Sequence, residues 1–163
     1  MPNAPANAAA STGSDYPEIR DSVRRICEKF PGDYWRDLDE RGAYPEAFVQ
    51  ALTEAGFLSV LIPEEFGGGG FGAVERMLIG EAFGRHLVNE PYLASSVLAG
   101  SLMLHAGSEA QKAEWLPRMA AGEARLALAF AEAASRFDLN HVATFARRQA
   151  SRWVLSGEQI LVL

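Results

Sequence analysis

The chain has 163 residues, of which 48% are hydrophobic and 22% charged, with a formal net charge of −6. This composition suits a folded globular protein with room for one core, or for one core and part of a second. The negative balance disfavours a broad basic surface for nucleic acid. Residues 1–14 are polar and Ala-rich, without the basic and apolar regions of a signal peptide, so we expect a disordered leader and no membrane insertion.

Cysteine and histidine usage narrows the chemistry further. Cys27 is the only cysteine, which excludes an intrachain disulfide and a multi-cysteine metal site. We expect it to be a buried apolar residue of a cytoplasmic protein. His86, His105 and His141 lack the close spacing of metal-binding motifs, so we predict no metal site.

The first half of the chain has helical periodicity. Apolar side chains recur at helical spacing in residues 17–30, behind a proline suited to the first helical turn. The polar and aromatic residues 35–44 are interpreted as a loop. Residues 45–56 predict a second helix that ends at Gly56.

Three more helices are predicted between Ala73 and Pro117. One begins at Ala73, and a nearly all-apolar one runs from about Pro91 to Gly107 and should be buried. A short third one begins at Ser108, which forms a capping box with Gln111. The predicted core residues of the first two are Met77, Phe83, Leu98 and Leu102.

After Gly122 the pattern changes to that of strands. Four short apolar or alternating runs are separated by polar breaks, at residues 126–130, 142–146, 153–155 and 160–163. Four short strands are few for an independent sheet, so we expect an incomplete β-unit.

The glycine-rich stretch from Ile62 to Gly72, IPEEFGGGGFG, contains the letters of a dinucleotide fingerprint, G-x-G-x-x-G. Such a loop directly follows a parallel strand, whereas here Pro63, Glu64, Glu65 and Phe66 intervene. Two carboxylates beside a pyrophosphate would repel it. We therefore interpret the glycines as a turn that allows positive φ and close chain approach, and keep a nucleotide-binding module as an alternative.

Five blocks carry a family resemblance: AGF at residues 55–57, IPEEFGG at 62–68, GSEAQK at 107–112, WLP at 115–117 and AGE at 121–123. In order and spacing they resemble the amino-terminal helical domain of the acyl-CoA dehydrogenases. The resemblance extends over residues 15–163. In its second half the chain is similar to the branch of pimeloyl-CoA dehydrogenase small subunits.

The resemblance implies a mainly α fold: a helical amino-terminal domain at residues 15–122, followed at 123–163 by an incomplete middle β-domain. In this family FAD lies between the middle domain and a carboxyl-terminal helical bundle, and in most members the bundle also carries the catalytic glutamate. No catalytic residue is therefore expected in this chain.

Site residues are implied by the same resemblance. Leu128, Phe130 and Ala131 stand where the family contacts the flavin, although Ala131 lacks the hydroxyl of the family's threonine. Leu161 and Leu163 stand where related chains often place a tryptophan and a threonine against the flavin ring. The resemblance implies that Arg136 and Phe137 lie beside the acyl-CoA substrate.

Three hypotheses follow. The first is an FAD-dependent acyl-CoA dehydrogenase present as a partial chain that lacks the catalytic carboxyl-terminal domain, in a homo- or hetero-oligomer with dehydrogenase subunits. The second is a non-catalytic helical subunit or remnant that packs against a complete dehydrogenase. The third is the nucleotide-binding module.

Overall fold

A computed structural model describes residues 16–89, 91–136, 138 and 140–162. The predicted leader, Phe137 and Leu163 lie outside these residues. Within the described part six α-helices precede a two-stranded hairpin, which confirms a mainly helical fold. The helices are α1 Pro17–Glu28, α2 Gly32–Arg41, α3 Glu46–Glu54, α4 Ala73–His86, α5 Gly100–Ala106 and α6 Glu109–Ala120. Two 3₁₀ turns, Phe57–Ser59 and Glu64–Phe66, connect α3 to α4, and a π-helical segment, Tyr92–Ala99, leads into α5.

Helix α1 forms as its apolar spacing predicts. Pro17 occupies the start of the helix, where its missing N–H costs nothing. Val23 and Cys27 are fully buried one turn apart, and this face packs against α4. The prediction of a buried Cys27 is confirmed.

The predicted loop at residues 35–44 is wrong, because most of it belongs to helix α2. Trp35 and Leu38, three residues apart, are the buried positions of this helix. Its other side chains are mostly charged, with Asp37 and Arg41 paired one turn apart at 2.5 Å. Such a short helix offers few apolar residues, so its periodicity was masked by the solvent-facing charges.

A series of contacting aromatic rings connects the helices. Phe48 of α3 lies at its centre, fully buried, with its ring edge-to-face against Phe30, Trp35 and Phe83. The centroid distances are 5.2, 4.9 and 5.7 Å, in the range where such pairs are attractive. The ring of Tyr92 packs edge-to-face against Phe83, and this contact connects the π-helical segment to the same core.

The predicted core of α4 and the following helix is only partly correct. Phe83 is buried and Leu98 half-buried, but Met77 is 55% exposed and Leu102 49% exposed. In α4 the buried face is made by Leu78, Ile79, Ala82 and Phe83 instead. In the next helix the π-helical bonding pattern places each bond five residues apart, so an α-helical spacing assigns the wrong face beyond it.

Helix α6 confirms the predicted capping box. Ser108 N donates to Gln111 Oε1 at 2.9 Å, and Gln111 N donates to Ser108 Oγ at 3.3 Å. The helix continues past Pro117 to Ala120. Its Leu116 and Met119 pack with Ile62 in a second, smaller core.

The β-unit contains one antiparallel hairpin. Strand β1, Phe145–Gln149, pairs with β2, Arg152–Ser156, in the register Phe145↔Ser156. Residues 126–130 form no strand, and the described residues 160–162 contribute a single bridge between Ile160 and Ala131. A strand needs a neighbour to satisfy its main chain, and in the described residues only the hairpin has one along its whole length. No helix in the described part of the chain has the length and apolar character needed to span a membrane.

Candidate functional site

The glycine stretch has no N–H groups to offer a phosphate. The N–H of every residue from Gly67 to Gly72 donates to another group of the chain, at 2.9–3.1 Å. The acceptors are the carbonyls of Glu64, Pro63, Ser59, Ile62 and Val60 and the carboxylate of Glu75. A phosphate-binding loop presents such groups to its ligand, so this one lacks the chemistry of a nucleotide site.

The backbone geometry of the loop explains why glycines are needed there. Gly67 and Gly70 have left-handed φ values of 81° and 62°. Gly68 does not, but a Cβ on it would lie 2.0 Å from the carbonyl oxygen of Ile62. The loop therefore requires glycine for both conformation and close chain approach, as the sequence predicted.

Residues 124–126 pack against the helices after Gly122. Leu126 N donates to the hydroxyl of Ser95 at 3.1 Å, and Ser95 is buried in the π-helical segment. The guanidinium of Arg125 lies 4.0 Å from the ring centroid of Tyr44. These contacts fix the start of the segment that carries the predicted flavin-facing residues.

The structure brings two of the predicted cofactor-contacting regions together. Ile160 N donates to the carbonyl oxygen of Ala131 at 2.8 Å, which places Leu161 beside Ala131. Leu161 is 73% exposed and has a left-handed φ of 53°. Phe130 is half exposed and Leu128 half-buried. The carbonyl of Ala131 is thus engaged by Ile160.

Arg136, one of the two predicted substrate residues, lies just beyond. Arg136 is exposed at the end of a turn over residues 133–136, with a left-handed φ of 46°. Ser135 N and Oγ both donate to the carbonyl of Glu132, which stabilises this turn. Arg136 thus lies close in sequence to Ala131, on a segment held by Glu132.

Glu132 is the residue that sequence reasoning missed. Glu132 is only 6% exposed. Its carboxylate accepts hydrogen bonds from Ala143 N at 2.7 Å and Thr144 N at 2.9 Å. Gln159 Nε2 donates to the same carboxylate at 3.2 Å and to Thr144 Oγ1 at 2.7 Å. We name these residues, Glu132, Ala143, Thr144 and Gln159, the Glu132 cluster. The available signal was a lone carboxylate within a run of small apolar residues.

These donors keep Glu132 ionised. The side chain of Thr144, followed by the main-chain N–H groups of Ala143 and Thr144, lowers the pKa of Glu132 to about 2, against burial, which raises it. A carboxylate with this pKa and with its lone pairs occupied is a poor general base near neutral pH.

We expect the Glu132 cluster to weaken only in strong acid. An exposed glutamate has a pKa of about 4.3, and the folded state lowers it. The stability that the carboxylate contributes is therefore fully present above about pH 4.5 and is lost as the pH falls from there through about 2. The amide proton shifts of Ala143 and Thr144 in ¹⁵N–¹H spectra should titrate with a midpoint near 2. A midpoint near 4 would show that the carboxylate is solvated.

A second group of charged side chains connects helices α1 and α4. Glu81 of α4 accepts from Arg20 of α1 and from Arg85 at 2.8 Å, and these two hydrogen bonds lower the pKa of Glu81. His86 Nδ1 lies 2.8 Å from the carbonyl oxygen of Ala82 within its own helix. Among the described residues no three His, Cys, Asp or Glu side chains gather as a metal site would need.

Known proteins share this arrangement of six helices and a following β-unit. Residues 14–123 match the family described as "Acyl-CoA dehydrogenase, N-terminal domain". The chain belongs to the acyl-CoA dehydrogenase family. It is 34% identical over 145 residues to (2S)-methylsuccinyl-CoA dehydrogenase of Cereibacter sphaeroides, which covers 86% of this chain and 26% of that protein.

Solved structures share the fold. The ChsE4-ChsE5 complex from Mycobacterium tuberculosis matches with a TM-score of 0.76 at 26% identity, over 89% of this chain and 39% of that one. An acyl-CoA dehydrogenase complexed with FAD from Bacillus anthracis matches with a TM-score of 0.74 at 29% identity, over 87% and 25%. This chain thus spans about a quarter to two fifths of the length of these three relatives.

Proposed function

We propose that the chain is part of an FAD-dependent acyl-CoA dehydrogenase that introduces an α,β double bond into an acyl-CoA thioester. In this enzyme it supplies the helical domain and one wall of the flavin site. The observation that carries the proposal is the Ala131–Ile160 bridge, since it joins the two segments expected to face the flavin, within a chain of this family.

The residues beside the bridge suit a flavin. Phe130, Leu161 and Val162 are all substantially exposed and apolar, next to the main chain of Ala131. A flavin ring has apolar faces and a polar edge, so apolar side chains together with main-chain N–H groups match it. Leu128, Phe130, Ala131, Leu161 and Leu163 would hold the cofactor. When bound, FAD supplies a hydride acceptor for the substrate β-hydrogen.

Arg136 and Phe137 are proposed to contact the acyl-CoA. The guanidinium of Arg136 is exposed, and it offers several fixed donors of the kind that bind phosphate oxygens. CoA carries such phosphates. The proposed role for this side chain is therefore to hold the charged end of the substrate, while the apolar part extends towards the flavin.

No catalytic base is assigned among the described residues. Glu132 is engaged and has a lowered pKa, and Glu75 accepts from Gly72 N at 2.9 Å. A base must reach the α-proton with a free lone pair. We therefore propose that the base comes from the part of the enzyme that this chain does not represent, or from a partner dehydrogenase subunit.

The second candidate function is a non-catalytic helical subunit. It is favoured by the exposed apolar side chains of the hairpin, among them Trp153 and Leu155, which are typical of a covered surface. The ChsE4-ChsE5 structure is a complex of two named components, so an assembly of different subunits has a precedent in this fold. In both candidates the partner is another dehydrogenase subunit.

We expect the purified 163-residue chain neither to hold FAD stoichiometrically nor to oxidise an acyl-CoA by itself. One wall of a site binds weakly, and general base catalysis alone contributes on the order of 10²–10⁴ in rate. The measurement is absorbance at the flavin bands after gel filtration, with electron transfer to a dye from a panel of acyl-CoA esters. A yellow, monomeric protein with turnover would contradict the proposal.

A further inference from the structure

We propose that Glu132 is a positioning residue: through Gln159 it sets the register in which Ile160 pairs with Ala131, and so decides which side chains face the flavin. This inference rests on the proposed function, since it concerns the wall of that site. The carboxylate touches neither Ala131 nor Leu161 in any hydrogen bond of the described residues. Its effect on the wall is therefore indirect.

Two hydrogen bonds join residues that are adjacent on both segments. Ile160 N donates to the carbonyl of Ala131, and Gln159 Nε2 donates to the carboxylate of Glu132. Residues 131 and 132 on one segment thus meet 160 and 159 on the other. A single bridge is a weak specification of register, whereas a second, adjacent contact between different chemical groups excludes the slipped alternatives.

Thr144 is hydrogen-bonded to both Glu132 and Gln159, so it supports the contact between them. Gln159 Nε2 also donates to Thr144 Oγ1 at 2.7 Å, and Thr144 N donates to Glu132. With the carboxylate ionised, the amide group of Gln159 must present its NH₂ and not its oxygen to Glu132, and the hydroxyl of Thr144 accepts from the same nitrogen. In this orientation Gln159 Oε1 is buried without a hydrogen-bond partner. The loss of its hydration is therefore not compensated.

The neighbouring backbone is shaped around this cluster. A Cβ on Gly157 would lie 2.1 Å from Thr144 Oγ1, so a side chain at that position would displace the threonine. The approach of residues 157–160 to Thr144 therefore requires glycine at position 157.

Register matters because Leu161 directly follows the paired Ile160 and turns away with a left-handed φ of 53°. A slip of one residue at Ile160 would bring a different residue opposite Ala131 and would move Leu161 relative to it. The flavin would then meet a different surface. Glu132 thus determines the shape of the wall without contacting the cofactor.

The test uses this chain, isotope-labelled, with Glu132→Gln, Gln159→Leu and the control Glu123→Gln, which removes an exposed carboxylate nearby. NOE cross-peaks between the backbone protons of Ala131 and Ile160 report the bridge directly. In Glu132→Gln and in Gln159→Leu we expect them to fall at least tenfold, while the peaks of α1 to α4 and the whole control spectrum stay as in the parent. Gln159→Leu keeps Glu132 bonded to Ala143 and Thr144, so it guards against a simple folding defect.

Parent-like cross-peaks between Ala131 and Ile160 in both variants would overturn the inference. The measurement needs no flavin. If the variants show the expected loss of cross-peaks but a complete dehydrogenase that contains this chain does not retain FAD, the proposed function alone is overturned. If that complete enzyme retains FAD but both variants keep parent-like cross-peaks, the positioning role alone is overturned.

Discussion

Replacing Phe48 with alanine should lower the free energy of unfolding by about 3–5 kcal/mol, the usual cost of removing a buried phenylalanine. Phe48 is fully buried, and its ring contacts Phe30 of the α1–α2 connection, Trp35 of α2 and Phe83 of α4. The cavity would open where these elements meet, and three edge-to-face contacts would be lost with it. Urea unfolding followed by tryptophan fluorescence and circular dichroism measures the loss.

Phe71→Ala is the matched control. It removes the same atoms from a residue that is mainly exposed in the glycine-rich loop, so it should cost about 1 kcal/mol or less. If the Phe48→Ala variant unfolds at the same urea concentration as the control, Phe48 is not the centre of the core.

Gly68→Ala should cost about 3 kcal/mol or more. Overpacking usually costs about 1–3 kcal/mol, and here the new Cβ would lie 2.0 Å from a backbone oxygen and not against a flexible side chain. The residue that owns this oxygen, Ile62, is buried in the second core with Leu116 and Met119. The loop therefore has little freedom to move away, and thermal or urea unfolding should show the full penalty.

Gly80→Ala provides the opposite control. Gly80 lies within α4, where an added Cβ meets nothing within 4 Å, so alanine should stabilise the helix by up to about 1 kcal/mol. A Gly68→Ala protein within about 1 kcal/mol of the parent would mean that the loop can move away from Ile62 at little cost.

Much of the helical domain follows from sequence periodicity. The predicted helices at the positions of α1, α3, α4 and α6 are present, since each combines an apolar face with a recognisable start or end. Helix α2 was missed because charge obscures its two buried residues, Trp35 and Leu38. The misplaced Leu102 follows a π-helical segment, and nothing in local composition distinguishes π from α bonding.

The candidate site was less accessible to sequence reasoning. The family resemblance pointed to Ala131 and Leu161, but their proximity depends on a pairing between residues far apart in the chain. Glu132 was overlooked for the same reason, because its donors at Ala143, Thr144 and Gln159 all follow it at a distance. Hydrophobic periodicity describes local elements and contains no information on such contacts.

FAD retention by a chimeric enzyme tests most directly whether this chain forms one wall of a flavin site. In the chimera, the chain replaces the matching segment of the acyl-CoA dehydrogenase from Bacillus anthracis whose structure contains FAD. Gel filtration and the ratio of flavin to protein absorbance give the occupancy. We expect stoichiometric FAD, and up to about tenfold tighter binding after Ala131→Thr, which restores one hydrogen bond of about 0.5–1.5 kcal/mol. A chimera that is folded by circular dichroism but elutes colourless, with or without Ala131→Thr, would contradict the assignment.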